Sequence, residues 1–394
     1  MTNNQLKLAA QHLLTHNILR FWEEHMFDPQ GGFFGRMTGE GQLDTNAERG
    51  AVLNARIVWA FSAAYRLLQD PRYLTLATHA KEYFVSHFID HHNGGVYWSL
   101  SAEGKPLNTK KQTYAVSFAI YALSEYARAT ADKAAIDMAI GLYYCIEKYA
   151  FDSINMGYVE ALTQQWKPIE DMRLSDKDEN ASRTMNTHLH VIEAYTNLYR
   201  VWPDQQLKKS IRTLLMIFSK HLYNPTNGHI DLFFNDTWQG KRNMASYGHD
   251  IEAAWLLNEA IQVIDDTEIA LFMKPIIQHI AQASKEGLQS DGSMIHENGD
   301  YERQWWVQCE AVVGYIDQWQ KTKESHYRSL AICTYNYITT HLVDWVNGEW
   351  YWAIREDGSI DKENDKAGFW KCPYHNARMC LELIERLEKE NETL

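Results

Sequence analysis

The chain contains no apolar run near the roughly 20 residues that a membrane-spanning helix requires, so it offers no candidate span. It also has no excess of positive charge. Against 38 lysines and arginines stand 51 aspartates and glutamates, a net charge of −13 spread along the sequence. A polyanion would be repelled, which argues against nucleic acid or acidic membrane as a partner. The five cysteines (Cys145, Cys309, Cys333, Cys372, Cys380) are odd in number, scattered and without CxxC spacing. That pattern argues against a disulfide framework or structural zinc and for a reducing, cytoplasmic location. The N-terminal "MTNNQLKLAAQHLLTHNILRFW" lacks the basic region, apolar block and cleavage site of a signal peptide and shows helical spacing instead. No GxGxxG follows a strand, and neither GxxxxGK[ST] nor GxSxG occurs. Nicotinamide, nucleoside triphosphate and serine-hydrolase chemistry therefore lose their usual sequence support.

What is present is a large apolar fraction, 45% with 23% charged residues, enough for a substantial core in 394 residues. Aromatic residues are abundant, with 14 Trp and 22 Tyr. Such rings either fill space between helices or stack on the C–H faces of sugars in a cleft.

The organisation repeats although the letters do not. Glycine-marked turns flanked by aromatics occur in "DPQGGFFGRM", "DHHNGGVYWSL", "DSINMGYVEAL", "NPTNGHIDLFF", "QSDGSMIHE" and "VNGEWYWAI", with Gly32, Gly95, Gly157, Gly228, Gly292 and Gly348 spaced 56 to 71 residues apart. A near-constant interval of this length signals stacked supersecondary units. Before the markers lie amphipathic helices, one with Tyr73, Ala77, Ala80, Phe84 and Phe88 on a stripe and another with Leu207, Ile211, Leu214, Leu215, Phe218 and Leu222. After the markers come helices apolar nearly all round, such as "AVLNARIVWAFSAAYRLL" and "YAVSFAIYALSEYA". A helix without a polar face is surrounded by protein. Six outer and six buried helices in alternation predict an all-α (α/α)6 barrel of six helical hairpins, with residues 1–394 as a single catalytic domain. An open solenoid is the alternative architecture.

Polar residues in the buried helices collect near one end: Arg56, Tyr114, Asn186, His190, His249, Glu252, Glu310 and His375. With the helices parallel, these ends converge on one mouth and predict a pocket. In "SYGHDIEAAWLL", Ser246 is expected to cap the helix and Gly248 to allow a close approach, while His249 and Glu252 share a face. His249 and His375 are each expected at the third helical position, His375 following Pro373. The partial positive charge of a helix N-terminus keeps such an imidazole neutral and favours a nearby anion. Either histidine alone is equally an ordinary packed residue, but two at matched positions point to a shared role. His188 and His190 lie two apart and point apart on a helix, so only one should face the pocket. No second His/carboxylate pair exists at metal-ligand spacing, and no metal is expected. Glu252 and Glu310 fit either a general acid and base pair or residues that hold hydroxyls and orient histidines. Arg56 fits either a buried ion pair or a contact to a substrate oxygen. His91 and His92 are read as solvated turn residues.

Taken in order, "LNARIVWAFS", "MNTHLHVIEAYTNLYRVW", "SYGHDIEAAWLL", "WWVQCEAVVGY" and "FWKCPYHNARMCLEL" resemble the cellobiose 2-epimerases of the N-acylglucosamine 2-epimerase superfamily, and the resemblance spans essentially the whole chain. It implies an (α/α)6 barrel and reversible inversion at C2 of the reducing-end glucose of β-1,4-linked disaccharides, without a cofactor. It further implies His249 and His375 as the acid/base pair and His190 as a ring-opening or intermediate-stabilising residue. Arg56, Tyr114, Asp178, Asn186, Glu252 and Glu310 resemble the family's substrate contacts, and Trp306 and Trp370 its sugar platforms. The expected partner is a disaccharide, with the protein acting as a monomer. The competing readings are an aldose–ketose isomerase or N-acyl-sugar epimerase on the same barrel, a glycoside hydrolase using Glu252 and Glu310, and a helical-repeat scaffold that binds a peptide.

Overall fold

A computed structural model describes residues 1–240 and 244–392. Twelve helices are formed among the described residues: α1 (residues 3–26), α2 (Ala51–Leu68), α3 (Pro71–His87), α4 (Thr113–Thr130), α5 (residues 133–150), α6 (Met185–Tyr199), α7 (residues 205–222), α8 (Tyr247–Val263), α9 (Thr267–Ala283), α10 (Trp305–Thr322), α11 (residues 325–342) and α12 (His375–Glu392). The even-numbered helices form an inner ring. Each packs on the next, α12 returns to α2, and the N-terminal α1 lies along α12. The architecture is the expected (α/α)6 barrel.

Burial follows the two hydrophobic patterns. In α4 every residue from Thr113 to Ala127 is buried. In the outer helices only one stripe is, and it is the predicted one: Tyr73, Ala77, Ala80, Phe84 and Phe88 on the second unit, and Leu207, Ile211, Leu214, Leu215, Phe218 and Leu222 on α7. Each large apolar side chain removed from water in this way stabilises by roughly 1.5–3 kcal/mol. The outer helices are less regular than their spacing suggests. Four of them, α1, α5, α7 and α11, finish in a π-helical turn.

The inner helices start from an unusual rim. The residue before α2, α4, α6, α8 and α10 (Gly50, Gln112, Thr184, Ser246 and Gln304) is extended and occupies the N-cap position. Each also pairs antiparallel with the loop of the following unit: Gly50 with Ser99, Gln112 with Ala161, Thr184 with Phe233, Ser246 with Glu297 and Gln304 with Ala353. A bridge from Met37 to Ala367 joins the last loop to the first. Short ladders and bridges therefore run right round the mouth and hold the starts of α2, α4, α6, α8 and α10.

Behind the rim, four of the glycine-marked turns open with an aspartate paired to a cation that precedes the next inner helix. The pairs are Asp28 with Arg49 (2.5 Å), Asp90 with Lys111 (2.8 Å), Asp152 with Arg183 (2.5 Å) and Asp344 with Lys366 (2.5 Å). Five marker glycines have positive φ, whereas in the third unit Met156 takes that conformation at φ 57°. Gly157 is needed there for space, since a β-carbon would lie 2.5 Å from the Trp238 ring.

Candidate active site

The first turns of the inner helices line one cavity of about 830 Å³, a size typical of small-molecule sites. Its wall includes Arg56 from α2, Tyr114 from α4, Asn186 and His190 from α6, His249 and Glu252 from α8, Trp306 from α10 and His375 from α12. Asp178 enters from the 173–179 loop and Trp370 from the segment before α12. Ten of the eleven residues singled out in the sequence thus share one cavity. Glu310 is the exception: it lies behind the wall, fully buried, with its carboxylate occupied by His375, Arg378 and Trp255.

The two histidines at helix starts sit against the same indole. The Trp306 ring centroid is 4.7 Å from that of His249 and 5.7 Å from that of His375. Gly248 makes this approach possible, because a β-carbon there would lie 2.7 Å from the Trp306 ring. His249 is the third residue of α8 as expected, but His375 is the first residue of α12 and not the third. Ser246 holds the N-cap position, yet its hydroxyl makes no cap bond and instead lies 2.7 Å from His249 Nδ1.

His190 and His375 each place Nδ1 2.7 Å from a buried carboxylate, Glu193 and Glu310 respectively. A carboxylate accepts only, so each ring carries its proton on Nδ1 and leaves the Nε2 lone pair for a ligand. Burial holds His249 and His375 down to about 3 and also lowers His190, outweighing the carboxylates. All three are neutral at pH 7. His188 is a scaffold residue: Nε2 accepts the Tyr158 amide at 3.0 Å and Nδ1 donates to the Thr184 carbonyl at 2.7 Å.

Two residues not singled out in the sequence organise the floor. Arg378, one turn beyond His375 and almost wholly buried, bonds Glu193, Glu252 (2.6 Å) and Glu310 (2.6 Å). Glu193 in turn holds His190. Burial and the neighbouring Glu310 charge raise Glu252, whereas for Glu310 the Arg378 charge and the His375 bond overcome burial and lower it. The signal was in the sequence: each pocket histidine on an inner helix has a charged residue three positions on, Glu193, Glu252 or Arg378, hence on the same face. Among the described residues, Glu252, Glu310 and His375 are the group whose donor atoms lie close enough to hold a metal, within 4.8 Å of one another. They already surround a cation, the Arg378 guanidinium.

Arg56 is the opposite case. It is buried, bonds Tyr114 Oη (2.8 Å) and Cys372 Sγ (3.8 Å), packs on Phe118 and Tyr374, and among the described residues makes no carboxylate pair and finds no partner for its Nε. A guanidinium left without an anion in a cavity wall is a site for one. Asp178 Oδ2 accepts from the Ser175 amide (2.9 Å) and hydroxyl (3.0 Å), which sets the turn of its loop. His91 and His92 are exposed, as expected.

Comparison with known proteins agrees with this geometry. A curated cellobiose 2-epimerase of Bacteroides fragilis is 49% identical over 388 residues, covering 96% of this chain and 98% of its own length. The cellobiose 2-epimerase of Dictyoglomus turgidum is 36% identical, with 95% and 97% covered. Among solved structures, the cellobiose 2-epimerase of Bacillus thermoamylovorans B4167 is 39% identical with a TM-score of 0.93, over 97% of this chain and 100% of that one. A D-mannose isomerase at 19% identity and TM-score 0.82 shares the fold. The family model for N-acylglucosamine 2-epimerase (GlcNAc 2-epimerase) matches residues 32–378, and the chain belongs to that family.

Proposed function

We propose that the protein is a carbohydrate epimerase that reversibly inverts C2 of the reducing-end glucose of β-1,4-linked disaccharides, converting cellobiose to glucosylmannose and lactose to epilactose. The observation that carries the reading is the pair of neutral imidazoles, His249 and His375, set against one tryptophan in a cavity that also holds an unpaired guanidinium. The full-length relatives named cellobiose 2-epimerase support it.

A closed pyranose has no acidic hydrogen at C2, so the ring opens first. The O1 proton is removed, O5 is protonated, the C1–O5 bond breaks and C1 becomes an aldehyde. His190 stands in the wall for this exchange. The C2 proton then passes to one imidazole, the C–H electron pair forms a C1–C2 double bond, and the carbonyl pair moves onto O1. Arg56 balances the enediolate charge. The other imidazole, protonated from solvent for this step, delivers its Nε2 proton to the opposite face of C2 and becomes neutral, the first imidazole gives its proton up, and the ring closes on the epimer. Each positioned proton transfer contributes about 10²- to 10⁴-fold. Trp306 and Trp370 are stacking surfaces for sugar rings, and Tyr114, Asp178, Asn186 and Glu252 meet hydroxyls. Glu310 orients His375. The reading includes a monomer in a reducing cytoplasm, the compartment supported by five cysteines that form no disulfide.

Incubation with lactose or cellobiose in D₂O, followed by NMR, tests the reading. The expected product is manno-configured and carries deuterium at C2. A ketose indicates isomerisation, free glucose indicates hydrolysis, and either outcome overturns the proposal. His249→Ala and His375→Ala should each lower C2 exchange by at least about 10²-fold with folding retained.

A further inference from the structure

Three of the four pocket histidines, those on the inner helices, differ in what holds them. His190 and His375 lean on carboxylates, whereas His249 leans on a serine hydroxyl at the same 2.7 Å distance. Ser246 is fully buried and its backbone is committed on both sides: the segment bridges Glu297, and the Ser246 carbonyl accepts the Asp250 amide at 3.0 Å. A serine at an N-cap ordinarily spends its hydroxyl on the backbone of the first turn. Here the hydroxyl is spent on the imidazole.

The difference has a chemical meaning. A carboxylate on Nδ1 fixes one neutral tautomer and favours the imidazolium. A hydroxyl both donates and accepts. As donor to Nδ1 it leaves the ring proton on Nε2, and as acceptor from Nδ1 it leaves the lone pair there. A reversible inversion asks one and the same ring to be protonated on Nε2 when it supplies a proton to a face of C2 and neutral there when it removes one, and a hydroxyl on Nδ1 can bond either form without favouring the charged one.

We propose that Ser246 is a positioning residue for His249, an uncharged partner on Nδ1 that aims Nε2 at the sugar while letting the ring carry its proton on either nitrogen; this rests on the C2-epimerase reading above. The titratable groups around His249 are His296 from the segment before α10, His190 on α6, His375 on α12 and Glu310 on α10, with Glu252 one turn further along α8. The surrounding imidazoles and burial disfavour a charged His249, and a hydroxyl does nothing to offset them.

The test uses Ser246→Ala and Ser246→Asp in the full chain. Ser246→Ala should lower kcat about tenfold or more with KM within about twofold. The melting temperature should stay put, because the hydroxyl makes no cap bond. Ser246→Asp should move the acid limb of the kcat/KM profile to higher pH, since a carboxylate on Nδ1 raises the proton affinity of the ring. The ¹⁵N signals of the His249 ring read the tether whether or not sugar turns over: mixed tautomers in the wild type, the Nδ1–H form alone in Ser246→Asp. A single fixed tautomer in the wild type, wild-type kcat and pH profile in Ser246→Ala, or a loss of kcat matched by a loss of melting temperature would each overturn the proposal. A wild-type enzyme that leaves both disaccharides unchanged overturns the epimerase reading alone, and the ring signals still decide the role of Ser246.

Discussion

Side chains in this barrel take their chemistry from the partner they are given, and Glu160 shows it at its plainest. It lies in the cavity wall, fully buried, accepting the Thr184 hydroxyl at 2.8 Å and the Thr187 hydroxyl at 2.6 Å with no cation in contact among the described residues. Burial therefore pushes its carboxyl from 4.5 to about 7. The sign follows: the protonated form is favoured in the folded chain, so its stabilising contribution is complete below 4.5 and is lost as pH rises through about 7. Glu160→Gln removes that dependence. Relative to the wild type, the variant should gain stability between pH 4.5 and 7, on the order of 3 kcal/mol at the upper end, as thermal melts across that range would measure. Residue types and their spacing along a helix were enough to bring ten site residues to one cavity. They did not reveal that Glu310 faces its own histidine rather than the cavity, because a carboxylate near a helix start reads the same whether it meets substrate or a neighbouring ring. Arg378 escaped notice for a related reason: its three partners come from three other helices far off in sequence.

Helices meet closely where the sequence allows no side chain. Gly314 on α10 faces Ile251 on α8, and a methyl group there would run into Ile251 Cγ1 and Cδ1 and approach the Ile251 carbonyl oxygen at 3.1 Å. Ile251 sits between His249 and Glu252 on α8. Gly314→Ala should therefore cost about 1–3 kcal/mol in urea unfolding and also lower kcat, since the two helices cannot part without moving His249 relative to Trp306. Element type and facing were legible because hydrophobic periodicity reports directly on burial. The π-helical ends of α1, α5, α7 and α11 were not, since one extra residue in the last turn leaves the apolar stripe nearly unchanged. The cap role expected of Ser246 failed on similar grounds, because sequence names a hydroxyl but not what the hydroxyl will meet.

Across the whole molecule, one architecture serves different chemistries. A GH76 α-mannanase of Bacteroides thetaiotaomicron matches at a TM-score of 0.66 with only 10% identity, so the barrel by itself names no reaction. What is repeated from unit to unit is support, including the buried ion pairs behind the rim. Asp90 and Lys111 are both inaccessible to solvent. Lys111→Met strands the aspartate and should lower stability by roughly 3–5 kcal/mol, whereas Asp90→Asn combined with Lys111→Met should recover much of it, as a double-mutant cycle by denaturant unfolding would show. The sixfold interval betrayed the units but not these pairs, whose members lie 21 to 31 residues apart and differ in letter from one unit to the next.

The ladders join each loop to its successor around the mouth, so moving one loop outward breaks backbone hydrogen bonds to its neighbour. Among the described residues, the stretch 173–179 lines the cavity outside these ladders and is a place where the wall can be remodelled. Changes in which sugar is accepted can accumulate in that stretch while the reacting groups, carried on the first two turns of the inner helices, keep their places.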